Sequence, residues 1–264
     1  MKRVLKSAAP QSLERYIARY PEDTWEQLCD NEPATAHESR NLAIEDQHSL
    51  CAYCEQKISS DDPLHRGVEH FHPKSDRSGN HNWGLDWANM LAVCDGGTRS
   101  SPASRVNYPL PDNLSCDAYK NHMISKKSLP MECEGYLLDP LGTPAFPNLF
   151  SLDKSTGFLE PATENCSGLD IPGNVYDNTA ELISHTIEAL NLNCDRLTEK
   201  RKRLVWDIDH NIKVIRSRGY STAEVRSLLV KRYLMAKWPE FFTTIRCCIG
   251  SAAEEYLVSI NYRG

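Results

Sequence analysis

The sequence predicts an α+β protein that is mainly α-helical, with a small irregular core between two helical regions. Apolar residues recur at helical spacing in segment 1–48, an N-terminal helical arm, and again in segment 178–264, a C-terminal helical region. Between them, segment 49–135 breaks into short extended runs with glycines, prolines and cysteines. Segment 136–177 is richer still in turn residues and reads as a connector.

Length and composition exclude several classes of protein. With 264 residues and 40% apolar content, the chain is long enough to bury a core. No apolar run approaches the roughly 18 residues that cross a bilayer, and no apolar signal segment follows the first residues, so we expect a cytoplasmic protein without a membrane partner. Ten cysteines in a reducing compartment favour metal or redox sites over disulfides.

The N-terminal arm reads as two helical pieces. One covers about residues 11–19 and the other about residues 34–48, with Pro21 and Pro33 between them. The hydroxyl of Ser12 is the expected cap of the first piece.

The C-terminal region reads as a series of helices. From Thr179 the helical spacing continues for nearly forty residues, which predicts one long helix or two helices broken near Asn191 to Asn193. Gly219 ends this stretch, and Ser221 or Thr222 caps the next helix. Pro239 is expected to begin a last helix, with a buried stripe from Phe241 to Leu257.

Positive charge is concentrated in the C-terminal region. From Arg196 to Lys237 there are twelve Lys or Arg and four Asp or Glu, although the whole chain has a net charge of −6. This segregation predicts a basic face that meets phosphates or an acidic partner, while the alternative is an ordinary solvated helix face. The apolar stripe looks longer than a small core could cover, so we assign this region to partner docking and backbone contact. Its densest cluster is Lys200, Arg201, Lys202 and Arg203.

Cysteine spacing predicts a structural zinc site. Cys51 and Cys54 are two residues apart, as when two thiolates from one tight turn bind a zinc ion. A redox pair is the rival interpretation, but no βαβ pattern surrounds it. Cys94 and Cys116 would complete the tetrahedron, with 21 residues between them, and Cys133 or a histidine is the alternative ligand. The remaining cysteines are expected to be small buried apolar residues: Cys29, Cys166, Cys194, Cys247 and Cys248.

An acid and a histidine lie between the two halves of this cysteine set. The His70 imidazole can take a proton from water at neutral pH, and the Glu69 carboxylate can hold a cation beside that water. Neighbours in a strand point to opposite faces, so both can serve one site only if the strand ends or bulges there. Pro73 makes an ending plausible. The alternative is a solvated pair on a surface strand, and His72 is either a substrate contact or an exposed histidine.

Three further polar residues are candidates for the same site. The Asn89 amide could fix the backbone or ring of His70, or Asn89 could be an ordinary turn residue. Asp117 could be a second cation ligand at a helix start, where it could also be an N-cap. Lys120, one turn further on, could meet a phosphate or simply be solvated.

These motifs resemble the HNH (ββα-metal) endonucleases, and more closely the nuclease subunits of Septu-type anti-phage systems, the PtuB family, which also accompany some retrons. The blocks that carry the resemblance extend over most of the chain: residues 10–25, Cys51-Ala52-Tyr53-Cys54, Val68-Glu69-His70-Phe71, Cys94-Asp95-Gly96-Gly97, Cys116-Asp117-Ala118-Tyr119-Lys120, Asp139-Pro140-Leu141, and Leu190-Asn191-Leu192-Asn193 followed by Arg196, Leu197 and Arg201.

The resemblance implies a zinc-stapled ββα-metal (HNH) core and a role for each site residue. His70 would be the general base, Glu69 and Asp117 would bind one Mg²⁺ or Mn²⁺, and Asn89 would orient His70. Many relatives have Asp in place of Glu69 and His or Asn in place of Asp117. The implied zinc ligands are Cys51, Cys54, Cys94 and Cys116.

The resemblance also implies partners and an activity. The partners would be an ABC- or SMC-like ATPase, a nucleic acid substrate with DNA favoured over RNA, and possible association with a retron reverse transcriptase and its RNA/DNA product. The activity would be phosphodiester hydrolysis in an anti-phage defence complex. Two alternatives stay open: a catalytically silent zinc-binding adaptor of such a complex, and a nuclease directed at RNA such as tRNA.

Overall fold

A computed structural model describes residues 1–58, 65–235 and 238–264. The predicted segments 49–135 and 178–264 therefore each include a few residues outside the description, namely 59–64 and 236–237. Within the described ranges, no helix combines the length and the apolar character needed to cross a membrane.

The described residues form an α+β fold that is mainly helical, as predicted. The helices are α1 (Gln11–Arg19), α2 (Trp25–Asn31), α3 (Pro33–Asp46), α4 (Pro102–Asn107), α5 (Cys116–Ser125), α6 (Thr163–Cys166), α7 (Thr179–Ala189), α8 (Asp195–Ser217), α9 (Thr222–Leu234), α10 (Phe242–Ile249) and α11 (Ser251–Ser259). The strands are β1 (Arg66–His70), β2 (Met90–Cys94), β3 (Phe150–Asp153) and β4 (Phe158–Pro161).

Two antiparallel strand pairs are present. In the first pair, Arg66 lies opposite Cys94 and His70 lies opposite Met90, so a cysteine and a histidine mark opposite ends of the pair. Five residues per strand separate these ends by about 13 Å. Helices α3 and α5 both contact β2. In the second pair, Phe150 lies opposite Pro161.

One main apolar core joins all four segments that the sequence predicts. It includes Leu13 of the arm, Leu91 of the cysteine-rich segment, Leu149 of the connector and Leu190 of the C-terminal region, each at most 2% exposed. The segment boundaries remain sequence predictions, but the segments pack as parts of one core.

A second apolar core lies among the C-terminal helices. It is built from residues such as Ile208, Val225, Leu229, Phe242 and Leu257, all at most 3% exposed. The small core does not need to cover the long apolar stripe, because α8 to α11 bury it against one another. The stripe therefore gives no support to partner docking.

Several helix boundaries are confirmed. The first helix is at residues 11–19, and the long C-terminal stretch is broken between Ala189 and Asp195. Ser221 caps α9 in a capping box with Glu224, in which each side chain accepts from the backbone of the other residue.

Other boundaries differ from the predictions. Pro10 precedes α1 as its N-cap, and the Ser12 hydroxyl instead donates to Glu38 at 2.6 Å. Helix α2 was not predicted, although Thr24 and Gln27 form a capping box at its start. The last predicted helix begins at Phe242, not Pro239, and it is divided at Gly250 because that glycine has a φ of 67°.

Gly96 joins the two ends of the long loop between Cys94 and Cys116. The Ser115 N–H donates to the Gly96 carbonyl at 3.0 Å, which brings the two cysteines of this interval together. Gly96 has a φ of 61°, and a Cβ there would lie 2.3 Å from the Ser115 carbonyl oxygen. Only glycine fits this crossing without displacing the start of α5.

We expect Gly96→Ala to lower the thermal unfolding midpoint, because the added methyl group clashes with backbone and the left-handed conformation itself costs about 1–2 kcal/mol. Gly142→Ala is the matched control, since its Cβ would meet no atom closer than 3.7 Å. Thermal unfolding followed by circular dichroism measures both variants. Equal midpoints for the Gly96 variant and wild type would contradict this account of the loop.

Candidate metal centre and active site

Four cysteine thiols converge at one end of the β1–β2 pair. Sγ–Sγ distances are 3.8 Å for Cys51–Cys116, 3.7 Å for Cys54–Cys94 and 3.8 Å for Cys94–Cys116. All four sulfurs lie within 4.8 Å of one another. A tetrahedron with zinc–sulfur bonds of about 2.3 Å has sulfur–sulfur edges of about 3.8 Å. The predicted set of four, here called the four-thiol cage, therefore has the dimensions of a zinc site.

Cys133, the alternative ligand, lies outside the four-thiol cage, and its thiol donates to the Pro130 and Met131 carbonyls. All six cysteines outside the cage are free. Three of them are buried, namely Cys133, Cys166 and Cys194. The other three were expected to be buried but are only half-buried, namely Cys29, Cys247 and Cys248.

Burial makes the thiols of the cage dependent on a cation. Burial raises the pKa values of Cys54 and Cys116 well above the ordinary thiol value. Burial also opposes ionisation of Cys51, but hydrogen bonds from Cys116, Cys54 and Cys94 lower its pKa well below that value. A bound zinc ion would stabilise the thiolate forms of all four cysteines.

The backbone around Cys116 is held by the C-terminal region. Cys116 has a left-handed φ of 57°, and its N–H donates to the Leu190 carbonyl at 2.8 Å. The Arg196 guanidinium donates to Ser115 Oγ and to Gln56 Oε1, both at 2.7 Å. The α7–α8 corner thus fixes two sides of the cage, so the C-terminal region supports this site.

An acid pair, the buried Glu69 and the half-buried Asp117, lies beside a buried lysine, and Asp117 directly follows Cys116 of the four-thiol cage. The Asp117 carboxyl lies close enough to Glu69 to raise the pKa of that acid, and the Lys120 ammonium forms an ion pair with the Glu69 carboxylate. The Tyr53 hydroxyl donates to Glu69 Oε1 at 3.4 Å. Glu69 is 6% exposed and Lys120 is 4% exposed. Lys120 is therefore neither solvated nor on an open surface.

The electrostatics of this acid pair favour an additional cation. Burial and the neighbouring Asp117 carboxylate raise the pKa of Glu69 well above its ordinary value. Although burial opposes the charge of Lys120, the Glu69 carboxylate raises the pKa of that ammonium. Carboxylate oxygens are ligands that Mg²⁺ and Mn²⁺ accept, and a divalent cation would favour the ionised form of Glu69 that burial and Asp117 oppose. The N-cap interpretation of Asp117 was wrong, since Ser115 is the N-cap of α5.

His70 is the last residue of β1, as the prediction of a strand ending requires. Its Nε2–H donates to the Gly84 carbonyl at 3.0 Å, which leaves the lone pair on Nδ1. Its ring lies edge-on to Trp25, with centroids 5.6 Å apart. Burial lowers the pKa of His70 to about 4, so the imidazole is neutral at physiological pH. A neutral, oriented imidazole can accept a proton.

Asn89 holds the loop that follows His70. Its Oδ1 accepts from the His72 N–H at 2.7 Å, and its Nδ2 donates to the His72 and Trp83 carbonyls, both at 2.9 Å. The prediction that this amide contacts His70 itself was therefore wrong. Asn89 binds the Trp83 carbonyl, and the next residue, Gly84, supplies the carbonyl that orients the His70 ring. Asn89 therefore supports His70 indirectly, through the backbone of this loop.

His72 is an ion-pair centre that sequence reasoning missed. Its Nδ1 lies 2.6 Å from Glu134 Oε1 and its Nε2 lies 2.8 Å from Asp76 Oδ2. Burial opposes its charge, but these two carboxylates raise the pKa of His72. Its ring also lies over Trp83 at 4.0 Å. His72 thus ties the loop after His70 to residue 134, and His72-x3-Asp76 spacing was its one signal in the sequence.

We expect one zinc per chain, and we expect Cys51→Ser to lose it together with thermal stability, because three thiols leave the tetrahedron open. Metal analysis of the purified protein measures the zinc content. Cys133→Ser is the matched control, since that buried thiol lies outside the cage. Zinc-free wild type that is folded and monodisperse, or full zinc in the Cys51 variant, would overturn the assignment.

Comparison with known proteins shows which family the chain belongs to. No family model matches the chain. An Escherichia coli protein described as "Retron Ec83 putative HNH endonuclease" is 35% identical to it over 253 residues, which cover 93% of this chain and 92% of the relative. Identity at this level over nearly the whole of both chains establishes membership in one family. The chain belongs to the HNH endonuclease family of this relative, and it is a hydrolase that acts on nucleic acids.

Proposed function

We propose that the chain hydrolyses phosphodiester bonds at a site built from Glu69, His70 and Asp117 at the ends of β1 and α5. The observation that carries this proposal is the acid pair itself, in which Glu69 directly precedes the neutral His70 and Asp117 directly follows Cys116 of the four-thiol cage, in a chain of the HNH family. In this proposal β1, β2 and α5 form the ββα-metal core. The four-thiol cage holds structural zinc, and one Mg²⁺ or Mn²⁺ belongs to Glu69 and Asp117.

Each side chain has a separate role in the proposed hydrolysis. His70 accepts a proton from the attacking water at Nδ1, because Nε2 is engaged with Gly84. Asn89 keeps the Gly84 segment in place, and Tyr53 helps to hold the Glu69 carboxylate. When bound, the divalent cation supplies positive charge beside the negative charge that develops on the phosphate.

Lys120 has two consequences for this proposal. Its ammonium neutralises part of the acid pair, so the acids can remain buried before a divalent cation binds. The same ion pair also favours the alternative function, a catalytically silent zinc-binding adaptor, since Glu69 already has a cationic partner. Cation binding and cleavage assays separate these two functions.

The wider role is proposed from the relative and from the family resemblance. The relative's name places it in a retron. We propose that this chain is the nuclease of an anti-phage defence complex that contains an ABC- or SMC-like ATPase and a retron reverse transcriptase with its RNA/DNA product. DNA is the proposed substrate, and RNA such as tRNA is the alternative that a cleavage assay must include.

We expect His70→Ala to reduce cleavage about 10²- to 10⁴-fold, because the attacking water loses the imidazole that would accept its proton. The assay incubates DNA and RNA substrates with the chain and its associated partners, in Mg²⁺ or Mn²⁺, and resolves the products on gels. His185→Ala is the matched control, since that imidazole is about half exposed. Equal cleavage by wild type and the His70 variant would refute the mechanism, and cleavage of RNA alone would refute the DNA assignment.

We expect Lys120→Met to tighten Mn²⁺ binding about tenfold or more, because the ammonium competes with the cation for the Glu69 carboxylate. Glu69→Gln should weaken Mn²⁺ binding instead. Electron paramagnetic resonance of free Mn²⁺ measures both affinities, and the zinc content shows that each variant is folded. Lys126→Met is the control, since Lys126 is exposed at the end of the same helix. Unchanged affinity in both variants would place the cation elsewhere.

A further inference from the structure

Helix α8 carries an exposed aromatic pair far from the proposed cleavage site in sequence. Trp206 is 65% exposed, and among the five tryptophans of the chain, all within the described ranges, it is the one that solvent reaches this freely. Its ring stacks on His210, one turn later, with centroids 5.3 Å apart and planes 11° apart. A flat aromatic surface of this kind is suited to stacking with another planar group.

Cations lie on either side of this aromatic pair. Lys202 and Arg203 are exposed one turn before Trp206, and Lys213 is exposed two turns after it. From residue 200 to residue 218 the helix and its end contain seven Lys or Arg and two Asp. We call the set Lys202, Arg203, Trp206, His210 and Lys213 the α8 stripe.

The predicted basic cluster at residues 200–203 is only partly exposed. Arg201 is 1% exposed, and its guanidinium donates to the Gly157 carbonyl and to Asn193 Oδ1, both at 3.3 Å. Reversal of its charge would damage the core, so the effect could not be attributed to a surface. A test of the surface must leave Arg201 unchanged.

One end of the α8 stripe adjoins a cavity beside the four-thiol cage. The cavity has a volume of about 550 Å³, and its lining includes Cys94 of the cage and Arg203 of the stripe. Three other cations also line it: Lys57, Arg196 and Lys200. Two acids, Asp95 and Glu199, also line the cavity, and Glu199 lies 3.7 Å from the Arg203 guanidinium. The four cations still exceed the two acids, so the lining between the exposed helix and the side of the cage has an excess of positive charge.

We propose that the α8 stripe binds a single-stranded segment of nucleic acid, with a base stacked on Trp206 and His210 and with phosphates at Lys202, Arg203 and Lys213. Cations at both ends of an aromatic surface match the alternation of phosphates and bases along a strand. Paired bases cannot stack on a side chain in this way, which favours single strands over duplex. This inference rests on the proposed function, because it assumes that the chain acts on nucleic acid.

The test measures binding separately from cleavage. Fluorescein-labelled 12-nucleotide single strands of DNA and of RNA, and a DNA duplex, are titrated with the full chain without divalent cations, and fluorescence anisotropy is read. We expect Trp206→Ala to weaken single-strand binding about tenfold, since stacking of one base contributes roughly 1–3 kcal/mol. Tyr220→Ala is the aromatic control, because Tyr220 is 44% exposed just beyond α8.

A double variant tests the phosphate contacts. Lys202→Gln with Arg203→Gln should reduce the salt dependence of single-strand binding by about 0.7 in log–log slope for each lost contact. Arg226→Gln, on the exposed surface of α9, is the matched control for charge. A Trp206 variant that binds both single strands as well as wild type does, or that loses only a protein partner, would overturn the proposal. Wild type that binds but never cleaves would instead overturn the proposed function.

Discussion

The arrangement of the site depends on the four thiols at one end of the β1–β2 pair. Cys51 and Cys54 hold a turn, Cys94 ends β2 and Cys116 begins α5, so one tetrahedron joins three parts of the chain. Tyr53 lies within that turn and Asp117 follows Cys116 directly. Both side chains contact Glu69. The cage therefore determines where these two neighbours of Glu69 lie, and in the proposed site a bound zinc ion would have a positional role.

At the far end of the strand pair, hydrogen bonds hold polar side chains beside the main apolar core. Gly84 orients the His70 ring, Asn89 fixes the neighbouring backbone, and His72 is held between Asp76 and Glu134. Such networks limit movement because each buried polar group would lose its partner if the loop shifted. Glu69 and the neutral His70 are therefore adjacent in the sequence, but their side chains have different neighbours.

Much of this organisation could be predicted because it depends on local patterns. The four-cysteine set, the His70 strand end and the break between α7 and α8 follow from spacing and periodicity. The Lys120–Glu69 ion pair could not be predicted, since it joins residues 51 positions apart. The burial of Arg201 could not be predicted either, because it depends on a contact with the distant turn residue Gly157. The hydrogen bond from Asn89 to the His72 carbonyl depends on how the loop after β1 folds back. Helix α2 had a local signal in Thr24 and Gln27, which the apolar pattern alone did not reveal.

The central claim is that the four-thiol cage positions the acid pair for a divalent cation. The most direct test compares Mn²⁺ binding by the zinc-loaded chain with binding by the same chain after zinc extraction and removal of the chelator, using electron paramagnetic resonance. Because Glu69 and Asp117 are unaltered in both samples, any difference reports their placement. The account predicts that Mn²⁺ binding at the acid pair is lost with zinc and restored when zinc is returned. Mn²⁺ binding of equal affinity in the zinc-depleted chain would contradict it.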